Sequence, residues 1–449
     1  MRFCVLLLYL LGNIFTVFSQ QLKVVGEIEI GGLYANQDNL PFWMYTNTSN
    51  TVSPLTNAVL QGSIAVSYNL TNTSSIEAGS TLLLRDGFND NFQRRDLYLK
   101  FENNWVKAIL GSKKVEERLD GLSSTNQNFL WSNNSRPLPG LLIEAPIPLK
   151  LSNSIGLDWG IAHYQLNDNR FVKDTRVHYK HLGAIFSLNE TNKITARIQH
   201  FAQWGGNSPE FGKLEDDFNA FVDVFFAKRS QENSLEGESR NALGNHLGTY
   251  FLEYEFSTGL GIFKLYHEHP FEDGSGTRLA NFPDGIWGVY LKTKQSNIFS
   301  AVLYEYITTQ NQSGTTGFSG KDNYFNNMIY KSGWTYDSTI IGLPFFVFDS
   351  SIVNNENERN PVVINSISAH HFAVKGFIGK FNYEAKASYV ERLGTVFNPL
   401  DRSLKDVHSY SSISRNFKDI GTFILQVGLD FGNSSDTNIG GGITYKYSF

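Results

Sequence analysis

Cysteine and charge are scarce in this sequence. Only one of the 449 residues is a cysteine, which excludes a disulfide scaffold and a zinc site built on cysteines. Charged residues make up 18% of the chain, below the roughly 25% of a typical soluble domain. The formal net charge is only −5. These values exclude a disordered acidic or basic chain, and they give no support to nucleic-acid binding.

Long apolar runs are absent beyond the N-terminus. No later stretch reaches the ~18 consecutive apolar residues that a membrane-spanning helix requires. The N-terminus itself has a basic residue, a short apolar run over residues 3–11, and small polar residues after it. We therefore predict a signal peptide at residues 1–20 and an exported barrel at residues 21–449. Because Cys4 lies in the apolar run, the exported chain is expected to have no cysteine.

Aromatic residues and glycine are abundant instead, with 35 Phe, 21 Tyr and 39 Gly. Many segments alternate apolar residues with small or polar ones, a period of two that is typical of β-strands. Examples are residues 58–70, 384–389 and 422–431. An exported chain that lacks a spanning helix can still cross a membrane as a closed β-barrel, because a barrel satisfies its own backbone hydrogen bonds.

Polar turns separate these segments at intervals of about ten residues, the length with which a tilted strand crosses a bilayer. Short turns are predicted at residues 102–104, 189–192, 295–297 and 432–436, and longer loops at 229–245, 309–324 and 349–361. Short turns at one end and long loops at the other are typical of outer-membrane barrels, with the chain ends in the periplasm. The length alone predicts roughly 16–20 strands.

The C-terminal segment supports the same fold. Ile443, Tyr445, Tyr447 and Phe449 alternate onto one face, and the last residue is Phe. This aromatic row resembles the closing strand of bacterial outer-membrane barrels. We predict an all-β protein, a monomeric transmembrane antiparallel β-barrel of a single chain, in contact with lipid of the bacterial outer membrane.

A series of short motifs spans nearly the whole exported chain and resembles the Wzi-type family of capsule assembly proteins. The motifs are LPFW (40–43), FLWSNNSRPLP (129–139), QWGG (203–206), HPFEDGSG (269–276), NFPDGIWG (281–288), DNYFNN (322–327), SGWTY (332–336) and GLP (342–344). The resemblance implies about 18 strands around an occluded lumen. It also implies a role in the attachment or assembly of capsular polysaccharide. Some family members carry a helical segment before the barrel, whereas residues 23–30 already have a strand pattern here.

Residues that carry catalysis or bind metals form no recognisable motif. His267 and His269 share one face of a strand, but Glu268 points to the opposite face, and a metal site needs three or four convergent ligands. Ser and His are scattered, with no nucleophile elbow of the form G-x-S-x-G. We therefore expect no enzymatic activity, no cofactor and no metal.

One segment combines aromatic rings with planar polar groups, as sugar recognition requires. We predict that residues 267–287, with two aromatic residues further along the chain, form a wall that faces a glycan. The predicted site residues are His267, His269, Glu272, Asp273, Arg278, Asp284, Trp287, Trp334 and Tyr336. Arg278 is expected to pair with a uronic carboxylate. In the alternative interpretation the segment is an inward loop that plugs the barrel, its charges satisfying one another.

Basic residues also cluster between Arg85 and Arg118, where acidic residues interleave with them. Two interpretations are open. The charges form ion pairs that fill the lumen and rim, or they form a cationic wall that meets an acidic polysaccharide.

Two functions from different classes follow from these observations. The favoured one is the non-enzymatic, lectin-like attachment or assembly of a surface polysaccharide. The alternative is a porin or solute channel, which needs an open, water-filled lumen. Bulky residues such as Phe325, Trp334 and Phe345 are expected to close that lumen. A soluble exported β-protein that binds glycans is the third hypothesis, and membrane fractionation distinguishes it.

Overall fold

The computed structural model describes residues 22–228, 242–272, 274, 276–294, 298–313, 321–352 and 360–449. The predicted signal peptide, the predicted turn at residues 295–297 and the predicted site residue Asp273 lie outside these residues. The same holds for parts of the three predicted long loops. Within the described ranges, no helix is long and apolar enough to cross a membrane.

Eighteen antiparallel strands close into a barrel. They are β1 (Leu22–Ala35), β2 (Ala58–Thr71), β3 (Ser74–Arg85), β4 (Phe92–Asn103), β5 (Lys107–Ser112), β6 (Gly140–Glu144, continued by Leu149–Lys150), β7 (Ile155–Gln165), β8 (Arg176–Asn189), β9 (Asn192–Trp204), β10 (Asn245–Ser257), β11 (Gly261–Phe271), β12 (Gly285–Thr293), β13 (Ala301–Thr308), β14 (Ile367–Ile378), β15 (Phe381–Gly394), β16 (Pro399–Phe417), β17 (Gly421–Gly432) and β18 (Asn438–Ser448). Neighbours in sequence are neighbours in the sheet, and β1 pairs with β18, with Glu27 opposite Ser448. The predicted fold class is confirmed.

The two faces of each strand meet different surroundings. On β2, Leu60 and Ile64 are exposed on the outer wall, whereas Gln61 is buried inside the barrel. On β17, Leu425 and Val427 are exposed on the outer wall in the same way. Because successive side chains of a strand point to opposite faces, the alternation of the sequence becomes an apolar outer belt, while the inner face carries both polar side chains and apolar ones such as Leu303.

The connections differ between the two ends of the barrel. The turns at residues 104–106 and 190–191 are at one end, together with the start of β1 and the end of β18. The connections at the other end include much longer ones, at residues 113–139 and at residues 309–366. By the rule for outer-membrane barrels these ends are periplasmic and extracellular, respectively. The turn predicted at 432–436 was assigned to the wrong end, because β17 and β18 form their hairpin at the extracellular side.

Three extracellular connections fold back into the lumen, and we call residues 40–53, 113–139 and 321–348 the plug. The plug contains helix α1 (Phe42–Tyr45), a 3-10 turn (Leu119–Gly121) and a small strand pair (Thr335–Tyr336 with Thr339–Ile340). Its segment Val347–Phe348 also pairs with Val362–Ile364, which lies outside the plug. Phe325, Trp334 and Phe345 are fully buried in its hydrophobic cluster, as expected for residues that close the lumen. The plug therefore gives the barrel a core like that of a soluble domain.

Polar groups of the barrel wall hold the plug in place. Glu305 on β13 accepts hydrogen bonds from the Ser123 hydroxyl at 2.6 Å and from the Ser124 amide at 2.9 Å. Two plug segments approach each other closely at Gly342, where an added Cβ atom would lie 2.3 Å from the carbonyl oxygen of Phe129. Only glycine allows this contact without a shift of the backbone.

Other extracellular elements cover the outer wall. Helix α2 (Phe218–Phe225) packs Ala220 and Val224 against Ala202 and Trp204, which face outward on β9. A small strand pair (Asn207–Ser208 with Gly212–Lys213) precedes the helix, and a 3-10 turn (Gly276–Arg278) follows β11. These elements brace the extracellular rim on one side of the barrel.

Candidate functional site

The structure divides the predicted glycan-binding residues among several places. His267 and His269 share one face of β11, as expected, and this face is the outer one, while Glu268 is buried on the inner face. The His267 ring stacks on Trp287 of β12 with ring centroids 3.7 Å apart, because the two residues are directly opposite each other in the sheet. Arg278 is exposed in the 3-10 turn near them.

Glu272 and Asp284 lie at the two ends of the connection between β11 and β12 and bind backbone groups of other extracellular loops. Glu272 accepts a hydrogen bond from the amide of Phe325 at 2.8 Å. Asp284 accepts hydrogen bonds from the amides of Asn311 at 3.0 Å and Gln312 at 2.8 Å. Burial raises the pKa of Asp284 to about 6. Both carboxylates thus anchor loops, and Asp284 is also buried.

Trp334 and Tyr336 lie inside the plug. The indole nitrogen of Trp334 donates to the carbonyl oxygen of Leu130 at 2.6 Å, and the hydroxyl of Tyr336 donates to Asn167 at 2.6 Å. Both side chains are almost completely buried. The structure therefore does not bring the predicted residues together as one wall, and their role in glycan binding stays a prediction. The alternative of an inward plugging loop fits the anchoring by Glu272 and Asp284 but not the outward His267.

A cleft of about 600 Å³ opens at the extracellular end, between the plug and the upper parts of the barrel wall, and we call it the mouth cleft. Its aromatic lining residues include Phe42, Tyr45, Phe88, Phe346, Phe348 and Phe431. Its polar lining includes Asn50, Asn134, Asp337, Arg392, His408 and Asp430. The mouth cleft thus presents aromatic faces beside amide, carboxylate and guanidinium groups.

A chain of polar contacts forms the wall of the mouth cleft. Arg392 Nη1 lies 2.8 Å from Asp406 Oδ2, and Arg392 Nη2 lies 3.3 Å from His408 Nε2. His408 Nδ1 lies 3.0 Å from Asp430 Oδ1, and the other Asp430 oxygen accepts from the Phe42 amide at 2.8 Å. The Phe42 ring stacks on His408 with centroids 4.6 Å apart. These contacts fix helix α1 to β16 and β17.

Charged residues also make contacts at the opposite rim of the mouth cleft. Asp337 lies 3.1 Å from Arg136 and accepts a hydrogen bond from Gln93 at 3.0 Å. Arg85 in turn bonds Gln93 and the backbone of Asn50. The predicted basic cluster therefore contributes Arg85 to the cleft region. Other members form ion pairs, such as Arg95 with Asp96, Lys107 with Glu144 and Lys114 with Glu117.

Sequence reasoning missed the mouth cleft although its motifs contained part of it. Phe42 belongs to the LPFW motif, Asn134 to the FLWSNNSRPLP motif, and Asp337 directly follows SGWTY. The fold brings these distant segments together at one opening. The motifs themselves were visible in the sequence, but no single motif indicates that the three segments meet at one cleft.

Comparisons with known proteins decide the family. The family model described as capsule assembly protein Wzi matches residues 26–346. This chain belongs to the Wzi capsule assembly protein family. The predicted family and the bacterial outer-membrane location are thus confirmed. No curated protein matches the sequence.

Solved structures agree on the fold. Wzi of Escherichia coli, described as an outer-membrane protein involved in group 1 capsule assembly and as a carbohydrate-binding β-barrel, is similar with a TM-score of 0.56. The two proteins are 13% identical, and the match covers 93% of this chain and 83% of the other. OccK3 (OpdO) of Pseudomonas aeruginosa is 12% identical with a TM-score of 0.51, covering 97% and 99% of the two chains. OpdQ of the same organism is 8% identical with a TM-score of 0.50, covering 96% and 97%.

Proposed function

We propose that this barrel binds a capsular or other surface polysaccharide at the mouth cleft and acts in its attachment or assembly without catalysing a reaction. The observation that carries the proposal is the mouth cleft itself, an aromatic and polar opening that the plug closes from below at the extracellular end. Aromatic faces pack against the C–H faces of sugars, and the planar polar groups beside them bind the hydroxyls. The carbohydrate binding described for Escherichia coli Wzi supports the same ligand class.

The plug argues against the channel alternative. A porin needs a continuous water-filled lumen, whereas Trp334, Phe325 and Phe345 are buried together in the lumen of this barrel. We expect planar-bilayer recordings of the purified protein to show no large steady conductance. A large steady conductance would favour the channel instead.

We further propose that the barrel works as a monomer surrounded by outer-membrane lipid. Pairing of β1 with β18 closes the sheet without a second chain. The exposed apolar belt, including Leu60, Ile64 and Leu425, suits contact with acyl chains.

The test uses a strain in which the chromosomal gene for this protein is deleted and variants of the protein are expressed from a plasmid. Phe88→Ala removes an aromatic face from the mouth cleft. The matched control is Phe92→Ala, four residues along the chain, whose ring is 59% exposed outside the cleft. We expect the first variant to reach the outer membrane but to release polymer into the medium, and the control to keep its capsule. Equal capsule staining and equal free polymer in both strains would contradict the proposal.

A further inference from the structure

The tip of a small hairpin in the plug presents one carboxylate to the mouth cleft. Thr335–Tyr336 pairs with Thr339–Ile340, so Asp337 and Ser338 are the two central residues of the turn. Both have a positive φ, of 53° and 57°, as in the type I′ turn that joins two paired strands. Aspartate tolerates this backbone better than most residues, because its short polar side chain can enter the left-handed region. The turn thus holds Asp337 at the opening, where it lines the mouth cleft.

Contacts on one side of Asp337 orient its carboxylate. The Oδ2 atom lies 3.1 Å from Arg136 Nη1 and accepts a hydrogen bond from Gln93 Nε2 at 3.0 Å. The Asp337 amide donates to Asp168 at 3.0 Å, which fixes the backbone as well. The Oδ1 atom accepts no hydrogen bond from the residues that the structure describes, and the side chain is 31% exposed. One carboxylate oxygen is therefore open to a ligand that donates a hydrogen bond.

An aromatic ring lies on the same rim as this carboxylate. Arg85 bonds Gln93, the residue that also bonds Asp337, and its guanidinium lies 3.5 Å from the centre of the Phe88 ring. Phe88 and Asp337 both line the mouth cleft. The rim thus offers an apolar ring for the C–H groups of a sugar and an acceptor for its hydroxyls.

Arg392 is the single lysine or arginine among the described residues that line the mouth cleft. Its side chain is 9% exposed, and its Nη1 lies 2.8 Å from Asp406. Its Nη2 lies 3.3 Å from His408, and its Nε donates to the carbonyl oxygen of Phe345 at 3.4 Å. Because each nitrogen of the guanidinium has a protein partner, Arg392 is not available to a ligand carboxylate.

The other arginines of this rim lie behind the lining. Arg85 is 3% exposed and bonds the backbone of Asn50 as well as Gln93. Arg136 lies beside Asp337. Neither arginine lines the mouth cleft. Both therefore support the rim from behind and do not face a ligand.

Carboxylates are in excess at the mouth cleft. Asp337, Asp406 and Asp430 line it, against Arg392 and His408, and the histidine carries a charge only when it is protonated. A sugar carboxylate would therefore meet like charge, and partial enclosure strengthens that repulsion because the local dielectric constant is lower than in water. A hydroxyl or an ammonium group would instead find the open oxygen of Asp337.

We propose that Asp337 determines the specificity of the mouth cleft, which takes sugars that present hydroxyl or ammonium groups and rejects sugars that carry a carboxylate. The inference rests on the proposed function and narrows its ligand from any surface polysaccharide to one without uronic acids. It also bears on the basic cluster predicted from the sequence. Arg85 supports the rim, so a cationic wall that meets an acidic polysaccharide is not expected at this opening.

Isothermal titration of the full-length barrel in detergent at low ionic strength tests the proposal. The probes are polymer purified from the capsule of wild-type cells and the same polymer oxidised at its primary hydroxyls, which converts these groups to carboxylates. We expect the oxidised polymer to bind at least about tenfold more weakly than the native polymer. Equal affinity of the wild-type protein for the two polymers would overturn the proposal. Tight binding of a native polymer that is itself rich in uronic acid would overturn it as well.

Asp337→Asn separates charge repulsion from the loss of the oxidised hydroxyls. Asparagine has nearly the same shape and also tolerates the positive φ, so the turn is expected to persist. We expect the difference between the two polymers to shrink to less than about threefold in this variant. Asp401→Asn is the matched control, because it removes an exposed carboxylate that does not line the mouth cleft, and it is expected to keep the wild-type difference. An unchanged difference in assembled Asp337→Asn would overturn the proposal.

Phe88→Ala distinguishes a failure of this proposal from a failure of the proposed function. If native polymer binds equally well to the wild type and to Phe88→Ala, the mouth cleft is not the binding site and the proposed function is overturned. If Phe88→Ala loses the native polymer but the wild type binds both polymers equally, the proposed function stands and the role of Asp337 is rejected. Heat-modifiable migration on gels shows whether each variant has assembled. Should Asp337→Asn fail to assemble, the comparison of the two polymers on the wild type still decides.

Discussion

Arg392 on β15 and Asp406 on β16 form a buried ion pair, with Nη1 and Oδ2 2.8 Å apart and side chains that are 9% and 4% exposed. The pair lies where the barrel wall meets the mouth cleft. Because the remaining oxygen of Asp406 accepts from the Ser434 hydroxyl at 2.6 Å, the carboxylate joins two extracellular hairpins.

Removal of the positive charge of Arg392 is expected to destabilise the barrel. Arg392→Met leaves Asp406 buried without its main partner, which costs about 3–5 kcal/mol. The free energy of unfolding in detergent or lipid vesicles, measured with denaturant, checks this value. The matched control is Lys405→Met, whose partner Glu391 lies 3.3 Å away and whose side chain is 50% exposed, so its loss is expected to cost less than about 1 kcal/mol. Equal losses in both variants would contradict the role of the buried pair.

Gly342→Ala is expected to loosen the plug. The added Cβ would lie 2.3 Å from the carbonyl oxygen of Phe129 and 2.7 Å from the Phe325 ring, so the two plug segments must separate. We expect intermittent conductance in planar bilayers and greater uptake of a hydrophilic antibiotic by cells. Gly32→Ala is the control, because its Cβ meets nothing within 4 Å. A sealed Gly342→Ala barrel would show that the plug tolerates the shift.

Asp284 is expected to make the stability of the folded barrel sensitive to pH, because burial of its carboxylate disfavours the charged form. Its pKa is about 6 in the folded protein and 3.8 ordinarily, so the folded state holds the proton more tightly. The contribution to stability is therefore full below about pH 4 and is lost as the pH rises to about 6, by about 2–3 kcal/mol. The free energy of unfolding, measured with denaturant and compared between wild type and Asp284→Asn at each pH, measures it. The variant is expected to show no such decline, and a parallel decline in both proteins would contradict the assignment.

Replacement of Arg278 tests the glycan-binding site that was predicted from the sequence. If this exposed arginine binds glycan, Arg278→Ala assembles normally but releases polymer from the cell. Phe88→Ala, measured in the same strain, reports on the mouth cleft. Full capsule in Arg278→Ala with polymer release in Phe88→Ala would assign the function to the cleft and reject the role predicted for Arg278.

The barrel was predictable from the sequence because its main physical constraint is local. Alternation such as that of Leu60, Gln61 and Ile64 follows from the pleat of one strand and does not depend on the rest of the fold. The predicted turns at 102–104 and 189–192 were correct for the same reason. The turn at 432–436 was assigned to the wrong end because loop length alone does not record on which side a hairpin closes.

The mouth cleft was not predictable, because it depends on where long loops pack. His267 and Trp287 lie opposite each other in adjacent strands. The sequence does not show this pairing, and alternation does not say which face of a strand is outside. Trp334 has the polar neighbours of a binding residue, yet its indole satisfies a backbone carbonyl within the plug. Asp337 and Phe42 meet at one opening only after the plug has folded.

Helix α1 belongs both to the buried packing of the plug and to the lining of the mouth cleft. The Phe42 ring stacks on Phe345 in the plug with centroids 5.6 Å apart, while the same ring lines the mouth cleft. The shape of the mouth cleft therefore depends on the packing of the plug. Replacement of one interior aromatic side chain, such as Phe345, is therefore expected to reshape the opening although no exposed residue has changed.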